Sequence, residues 1–180
     1  DGSSLTMNLR QGVTFHDGTP FNAEAARLNL ERNKAGASAG ELAAVETITA
    51  VDEYTLQLTF NAAAGSVPGA LSDRAGVMAS PAAFATEAAA AQLDLNPVGA
   101  GMYRMVEYTK DQRIRAERFE GYWEPEAQGA AAVEALILTD NNARANALKS
   151  GDVDLANLEP CQVDDLEASG VTVNKERAAP

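Results

Sequence analysis

Cysteine is almost absent from this chain, and Cys161 is the only one among 180 residues. A single thiol cannot form an internal disulfide bond, and without cysteine partners it cannot build a structural zinc site. The sequence therefore excludes a disulfide-stapled domain and a cysteine zinc site, and leaves the redox compartment open.

Positive charge is also scarce. The chain has 14 Lys and Arg residues against 26 Asp and Glu residues, which gives a formal net charge of -12. A protein that binds nucleic acid through electrostatic attraction needs clustered positive charge to meet the phosphates. The composition therefore excludes that class, and we expect no nucleic-acid partner.

Long apolar runs are missing as well. No stretch approaches the roughly 18 consecutive apolar residues that a membrane-spanning helix needs, and residues 1–4 lack the basic-then-apolar order of a signal peptide. We therefore expect either a cytosolic protein or a chain that begins after such a segment. Aromatic residues make up only 6% of the chain, so its apolar mass lies in small side chains.

The hydrophobic pattern of the first half predicts a mixture of strands and helices. A helix is expected to begin after Asn22, a capping residue, and to end near Asn33. Leu56, Leu58 and Phe60 alternate with polar residues, which is typical of a half-buried strand. The remaining predicted elements are strands over 6–10, 13–16, 45–51 and 55–60, a short helix over 86–92, and a hairpin over 102–108 and 113–119.

The second half changes to an alternation of strands and helices. Strands are predicted over 133–139, 153–156 and 171–174, and helices over 141–150, ended by Gly151, and over 162–168. That alternation is typical of α/β architectures. The main break falls near residues 97–101, which predicts one domain over 1–98 and another over 99–180.

Residues 36–40 match the letters G-x-S-x-G, the nucleophile elbow that would make Ser38 an activated serine. The elbow needs a buried strand before it, a helix after it, and an acid and a histidine later in the chain. Here a helix comes first, and the sole histidine, His16, lies upstream. A flexible linker is therefore favoured, and a hydrolase that uses Ser38 stays as an alternative to be tested by Ser38→Ala.

Metal and dinucleotide sites are also poorly supported. Adjacent residues of a strand point to opposite faces, so His16 and Asp17 are badly placed to chelate one ion. Asp152 and Asp154 lack the spacing of a calcium loop. The glycines of residues 99–101 precede a predicted strand, whereas a dinucleotide loop precedes a helix. We expect no metal, no cofactor and no catalytic residue.

Two residues admit both a structural and a functional interpretation. Trp123, next to Tyr122 in a predicted loop, either anchors that loop or stacks on a ligand. Arg74 either binds a carboxylate of a ligand through its guanidinium or pairs with its neighbour Asp73. The sequence pattern alone leaves both alternatives open.

Residues 6–24, TMNLRQGVTFHDGTPFNAE, closely resemble the signature of the peptide/nickel class, family 5, of ABC-transporter solute-binding proteins. Three later stretches resemble the family in the same order: residues 51–55, VDEYT; residues 97–103, PVGAGMY, followed by a Tyr-Trp pair; and residues 144–154, RANALKSGDVD. Ala100 and Met102 depart from the Thr and Pro that are usual in the second stretch. The resemblance thus spans nearly the whole chain.

The resemblance implies a two-lobe periplasmic-binding-protein fold of type II, in which both lobes close over a ligand. Residues 1–98 would form the small peripheral α+β domain, and residues 99–180 part of the first large lobe. Members of the family are much longer, so we expect an internal piece of such a protein. This piece alone should bind peptides negligibly, since half a cleft leaves polar ligand groups in water. It should also expose apolar surface where its missing strands belong.

The same resemblance implies a function without catalysis: the extracytoplasmic solute-binding subunit of a bacterial ABC importer. Peptides would be its cargo and the permease its partner, and the protein would be a monomer, either periplasmic or lipid-anchored on the outer face of the cytoplasmic membrane. The alternatives are a nickel chelate, an opine or an oligosaccharide as cargo, or a sensor domain borrowed by an intracellular regulator. A secretory leader or a helix-turn-helix before residue 1 would distinguish these classes.

Three residues are the candidates for ligand contact. The position of Arg74 resembles a ligand-contacting stretch of the nickel-type relatives. Asn141 and Asn142 lie at the predicted strand-to-helix turn, where helix capping explains an asparagine equally well.

Overall fold

The structure, a computed structural model, describes residues 2–127 and 129–174. The chain separates into two compact units. The first unit runs through residue 108 and resumes over residues 114–134, and the second comprises residues 109–113 and the chain from residue 135 onward. The predicted domains, 1–98 and 99–180, are a different division and stay a prediction; residue 128 and residues 175–180 of the second lie outside the described residues.

The mixed α/β class is confirmed by the order of elements along the chain. The strands are β1 (Ser4–Asn8), β2 (Val45–Ala50), β3 (Thr55–Phe60), β4 (Tyr103–Thr109), β5 (Arg113–Arg118) and β6 (Ala132–Leu136). The helices are α1 (Ala23–Ala35), α2 (Val67–Leu71), α3 (Glu87–Ala90), α4 (Asn141–Ser150) and α5 (Val163–Ala168). Short 3-10 turns cover Arg74–Gly76, Pro81–Phe84, Pro125–Ala127 and Pro160–Gln162.

The core of the first unit lies between a sheet and α1. The sheet has the order β1-β3-β2, with both pairings antiparallel. Leu58 on the central strand faces Leu5 of β1 and Ile48 of β2. Leu56 and Leu58 are buried, together with Leu30 of α1. The alternating face predicted for β3 is therefore confirmed.

Helix α1 begins where its capping residue predicts. The Asn22 side chain accepts a hydrogen bond from the Ala25 backbone N–H at 2.9 Å, which satisfies one of the free donors of the first turn. On the outer face Arg27 pairs with Glu24 and Glu31, each at 2.6 Å. The helix ends at Ala35, close to the predicted end near Asn33, and Gly36 is its C-cap.

The strand predicted over residues 13–16 is wrong. The structure forms only an isolated antiparallel bridge there, between Thr14 and Pro20. Pro20 has no N–H to donate, and the Phe15 N–H bonds the Thr19 carbonyl at 2.8 Å, so the chain turns back on itself. The Phe15 ring, fully buried, anchors this loop in the first unit.

The predicted hairpin after residue 101 is confirmed as β4 and β5, and the sheet has the order β4-β5-β6. Asp111 in the turn adopts a φ of 58°, in the left-handed region that Asp and Asn tolerate better than most residues. All five residues of β6 are exposed.

Helix α4 of the second unit occupies the predicted range. Its N-cap is Asp140, whose side chain accepts from the Ala143 N–H at 2.8 Å, so Asn141 is the first helical residue rather than the cap. Gly151 ends the helix with a φ of 79°, a left-handed conformation that glycine adopts without a side-chain clash. Among residues 2–127 and 129–174, no helix is long and apolar enough to span a lipid bilayer.

The strands predicted over residues 153–156 and 171–174 are wrong. Both segments lack strand structure, and the Val153 N–H turns back to the Ala147 carbonyl of α4 at 3.3 Å. A strand requires a neighbouring strand that accepts and donates its backbone hydrogen bonds, and the described residues of this unit supply none beside them. Helix α5 begins at Val163, after the turn Pro160–Gln162, so the predicted start at residue 162 is one residue early.

Candidate functional site

Arg74 lies on the surface of the first unit, in the short turn that follows α2. Its side chain is exposed, whereas the next residue, Ala75, is fully buried and anchors the turn. Within the described part of the chain the guanidinium has neither a hydrogen bond nor an ion pair, and the alternative pairing with Asp73 does not form. Arg74 therefore presents five unengaged N–H donors in a planar fork, the arrangement that matches a carboxylate.

The turn that carries Arg74 is held by a side chain of α1. Asn33 Nδ2 donates to the carbonyl oxygen of Ala75 at 3.1 Å and to that of Val77 at 3.2 Å. The two carbonyl groups flank Gly76, where an added Cβ would lie 1.8 Å from the Leu71 carbonyl oxygen. Only a glycine permits so close an approach of two backbone segments. The turn is thus fixed from both sides.

A second asparagine of α1 holds the chain further along. Asn29 is fully buried, and its Nδ2 donates to the carbonyl oxygens of Ala25 and Ala79, each at 2.8 Å. Its Oδ1 accepts from the Ala79 N–H at 2.9 Å. One side chain thereby satisfies both backbone groups of Ala79, as a neighbouring strand would.

The signature segment forms a polar cluster around Asp17. Ser80 Oγ donates to Asp17 Oδ2 at 2.5 Å, and the backbone N–H and the hydroxyl of Thr19 donate to Oδ1 at 3.0 and 2.7 Å. The Ser80 N–H in turn donates to the Val98 carbonyl at 2.8 Å. These contacts join three segments that are distant in sequence, so the Asp-Gly turn has a structural role.

The Asp17 cluster predicts an acid-sensitive contribution to stability. Burial raises the pKa of Asp17, but the hydrogen bonds from Ser80 and Thr19 outweigh it and hold that pKa below the usual value of 3.8. Because the folded pKa is the lower one, the contribution is present above pH 3.8 and is lost as the pH falls through the folded pKa. We therefore expect the stability difference between the wild type and Asp17→Asn to shrink between pH 6 and pH 3, measured by urea unfolding. Asp94→Asn, at an exposed carboxylate, is the control, and a constant Asp17 difference over this range would contradict the prediction.

His16, the sole histidine, joins the signature segment to the glycine-containing stretch at 99–101. Its backbone N–H donates to the Gly99 carbonyl at 2.8 Å, and its Nε2 lies 2.9 Å from the Gly101 carbonyl oxygen. Since a carbonyl oxygen only accepts, Nε2 must carry the proton. The ring also meets Phe119 edge-on, with centroids 5.0 Å apart. His16 therefore holds this stretch in place.

The remaining catalytic and metal hypotheses find no support in this geometry. Ser38 is only 4% exposed and lies in a turn after α1, where its N–H donates to the Asn33 carbonyl at 3.1 Å. Asp152 accepts from the Ser150 hydroxyl at 2.6 Å. In the described ranges no group of three or more His, Cys, Asp or Glu side chains is placed to hold a metal ion.

Trp123 is held by a cation. The Arg10 guanidinium carbon lies 4.0 Å from the centre of the Trp123 ring, within the range of a cation–π contact. The Tyr122 ring lies 5.2 Å away, centroid to centroid. These contacts favour the anchoring interpretation of the aromatic pair over stacking on a ligand.

Asn141 and Asn142, the other two candidates, lie in the second unit. The Asn141 side-chain oxygen accepts a hydrogen bond from Arg144, and that of Asn142 accepts from Gln162 Nε2 at 3.4 Å. Arg144 also donates to the carbonyl oxygens of Leu138 at 2.6 Å and of Asn157 at 3.0 Å. Both asparagines are therefore engaged within their own unit, and their role in ligand contact stays a prediction.

A cleft of about 1010 Å³ lies within the second unit. Apolar side chains dominate its walls, and the charged residues among its described lining are Asp154 and Asp164. Leu155, one of the lining residues, is 90% exposed. The described lining presents apolar surface and negative charge, with no cation among its residues to meet the carboxylate of a solute.

The two asparagines that hold the candidate site, Asn29 and Asn33, were not among the residues predicted from the sequence. Asn29 and Asn33 are four residues apart, so they share one face of α1. Asn29 also falls among the apolar positions of that face, which is a signal that a buried polar partner exists. The partners, Ala79 for Asn29 and the turn at Ala75 for Asn33, could not be identified from this signal.

The sequence matches one protein-family model, described as "Bacterial extracellular solute-binding proteins, family 5 Middle", over residues 1–179. The glutathione-binding protein GsiB of Pectobacterium atrosepticum is 31% identical over 160 residues, which are 87% of this chain and 31% of that protein. GsiB of Escherichia coli K12 is 31% identical over 162 residues. The chain thus spans about a third of the length of these curated relatives.

Solved structures agree with this match. AgaA of A. tumefaciens R10, solved in complex with agropinic acid, is 30% identical and has a TM-score of 0.77 over 84% of this chain and 31% of its own. A nickel ABC transporter protein of Bacillus halodurans is 28% identical, with a TM-score of 0.79 over 93% of this chain and 34% of its own. NikZ of Campylobacter jejuni, at 18% identity and a TM-score of 0.84, shares the fold.

The match over almost the entire chain agrees with the resemblance of the signature segment, with the mixed α/β class and with the structural likeness to solute-binding proteins. The chain belongs to the bacterial extracellular solute-binding proteins of family 5.

Proposed function

We propose that this chain is part of the solute-binding component of a bacterial ABC importer, which captures a peptide outside the cytoplasm and delivers it to the permease. The observation that carries the proposal is the family match over residues 1–179. The relatives found are themselves solute binders by name, for glutathione and for agropinic acid among others. A two-lobe binder traps its solute by closing around a hinge.

The peptide cargo is supported by the exposed Arg74. A peptide carries at least one carboxylate, and a guanidinium binds a carboxylate through two parallel hydrogen bonds. Of the three candidate residues, Arg74 is the one whose polar group is unengaged in the described structure, since Asn141 and Asn142 contact Arg144 and Gln162. Opines and glutathione also carry carboxylates, so the relatives' ligands are compatible with the same contact.

We also propose where the protein acts, which partners it has, and that it catalyses no reaction. Family 5 proteins are extracytoplasmic in bacteria, and we propose that this one acts as a monomer, in the periplasm or anchored by lipid to the outer face of the cytoplasmic membrane. Its partners would be the transmembrane permease subunits. We propose no catalysis and no cofactor: Ser38 is buried in a turn, and the Asp17 carboxylate is held in a structural cluster by hydrogen bonds from Ser80 and Thr19.

Isothermal titration tests the proposed function. The complete protein that carries this chain is titrated with glutathione and with a mixed pool of di- to pentapeptides, and each mixture is followed by thermal shift. We expect the complete protein to bind and this chain alone to bind negligibly, because half a cleft cannot exclude water from the solute.

The other outcomes of the titration are equally informative. Tight binding by this chain alone would mean that it holds a complete site, and that the two-lobe mechanism does not apply. If peptides do not bind, the same titration is repeated with a nickel chelate, an opine and an oligosaccharide, and binding of one of these would retain the transport function with another cargo. A helix-turn-helix before residue 1 of the complete protein, in place of a secretory leader, would favour the regulator alternative.

A further inference from the structure

We infer that Asn33 is a positioning residue for Arg74: its side-chain amide fixes the turn that presents the guanidinium to the solute. The inference rests on the proposed function and adds a residue that touches no solute itself. Asn33 lies near the end of α1, and Arg74 begins the turn Arg74–Gly76. The hydrogen bond from Asn33 to the Ala75 carbonyl therefore joins two residues that are 42 positions apart in the sequence.

Both N–H bonds of the Asn33 side-chain amide are used to hold the turn. Asn33 Nδ2 has two N–H bonds, and it donates to two carbonyl oxygens, those of Ala75 and Val77, at 3.1 and 3.2 Å. Carbonyl groups two residues apart can meet one amide nitrogen only when the chain between them is turned. The Asn33 side chain therefore stabilises one conformation of this turn over the extended alternatives.

The contacts around the turn hold its backbone and leave the Arg74 side chain unconstrained. Gly76 packs against the Leu71 backbone so closely that a Cβ has no space, and Asn29 holds Ala79 beyond the turn. These contacts fix the backbone after Arg74, while its side chain stays exposed and without a partner in the part of the chain that the structure describes. A long side chain loses less entropy on binding when its backbone is already ordered.

The inference predicts a coupling between the two residues in solute binding. In the complete protein, Arg74→Gln should weaken glutathione binding by about 10-fold to 100-fold, the range for one lost charged hydrogen-bonding contact. Asn33→Leu should weaken it about 3-fold to 10-fold, because the turn loses two hydrogen bonds and presents Arg74 less often. In the Arg74→Gln background, Asn33→Leu should add no further loss, since it acts through Arg74.

The double-mutant cycle is measured by isothermal titration, and a second measurement is independent of any solute. Hydrogen exchange over residues 72–79 should be about tenfold faster in Asn33→Leu, from the loss of two hydrogen bonds. Asn33→Asp, which keeps the size of the side chain but replaces the donor by an acceptor, should show the same acceleration. The matched control is Lys34→Leu, which removes a 3.2 Å hydrogen bond to the Glu46 carbonyl at the same end of α1 and should leave this exchange unchanged.

Three outcomes would overturn the positioning role. The first is an equal loss of affinity from Asn33→Leu with and without Arg74, and the second is unchanged hydrogen exchange over residues 72–79. The third is a glutathione affinity that Arg74→Gln does not change. In the last case the solute-binding function itself stands. If the complete protein binds no peptide at all, the proposed function fails, and accelerated exchange in Asn33→Leu still supports the hold of Asn33 on the turn.

Discussion

Replacing Leu58 by alanine is expected to lower the free energy of unfolding by about 2 to 4 kcal/mol. Leu58 is fully buried on the central strand of the first sheet, where Leu5 and Ile48 lie opposite it on the two edge strands. Truncation removes apolar contacts on both sides, and the hydrogen-bonded strands prevent the space from collapsing. The expected loss of stability therefore has two parts: the transfer free energy of the apolar atoms that are removed, and the cost of the cavity that remains.

Urea unfolding followed by circular dichroism measures this loss. The matched control is Val51→Ala, at a side chain that is 56% exposed near the end of β2, and it should change the free energy of unfolding by less than about 0.5 kcal/mol. A Leu58→Ala variant that loses no more than this control would falsify the assignment of the inner sheet face as the core.

The second large effect is expected at a polar residue. Asn29→Leu should lower the free energy of unfolding by about 2 to 4 kcal/mol, because it leaves the N–H and the carbonyl group of Ala79 without partners. Both groups are removed from water, since Ala79 is 7% exposed and Asn29 is fully buried. Leucine branches at the same carbon as asparagine but is larger, so overpacking at this buried site adds to the effect of the lost hydrogen bonds.

The same unfolding experiment tests this second variant. Asn61→Leu is a suitable control, because Asn61 is exposed and its side chain makes no hydrogen bond within the described residues. The control should stay within about 0.5 kcal/mol of the wild type. Equal stabilities of Asn29→Leu and the wild type would mean that Ala79 finds other partners, for example water, and that Asn29 does not hold this segment.

Local signals were sufficient where one element determines its own ends. Asn22 caps α1 and Gly151 ends α4 as the sequence indicates, because capping depends on hydrogen bonds within a few residues. The alternation around Leu58 predicted the buried face of β3 for the same reason, since the side-chain period of a strand is local.

Local signals were insufficient where a segment depends on a distant partner. Residues 13–16, 153–156 and 171–174 each carry β-branched or aromatic residues, yet none of them forms a strand. In the first, Pro20 and the Asp17 turn prevent a ladder. In the other two, the described unit offers no neighbouring strand, and the β-propensity of a segment has no effect until a partner is available.

The sequence by itself determined the family, the mixed α/β class and Arg74 as a candidate for ligand contact, because a signature segment, periodicity and an isolated cation are visible in linear order. Only the tertiary structure decided what holds that candidate. Asn29 holds the backbone of Ala79, 50 residues away, and Asn33 holds that of Ala75, 42 residues away. Ser80 reaches Asp17 across 63 residues. Such pairings follow from which surfaces meet when the core closes, and no local pattern of residues specifies them.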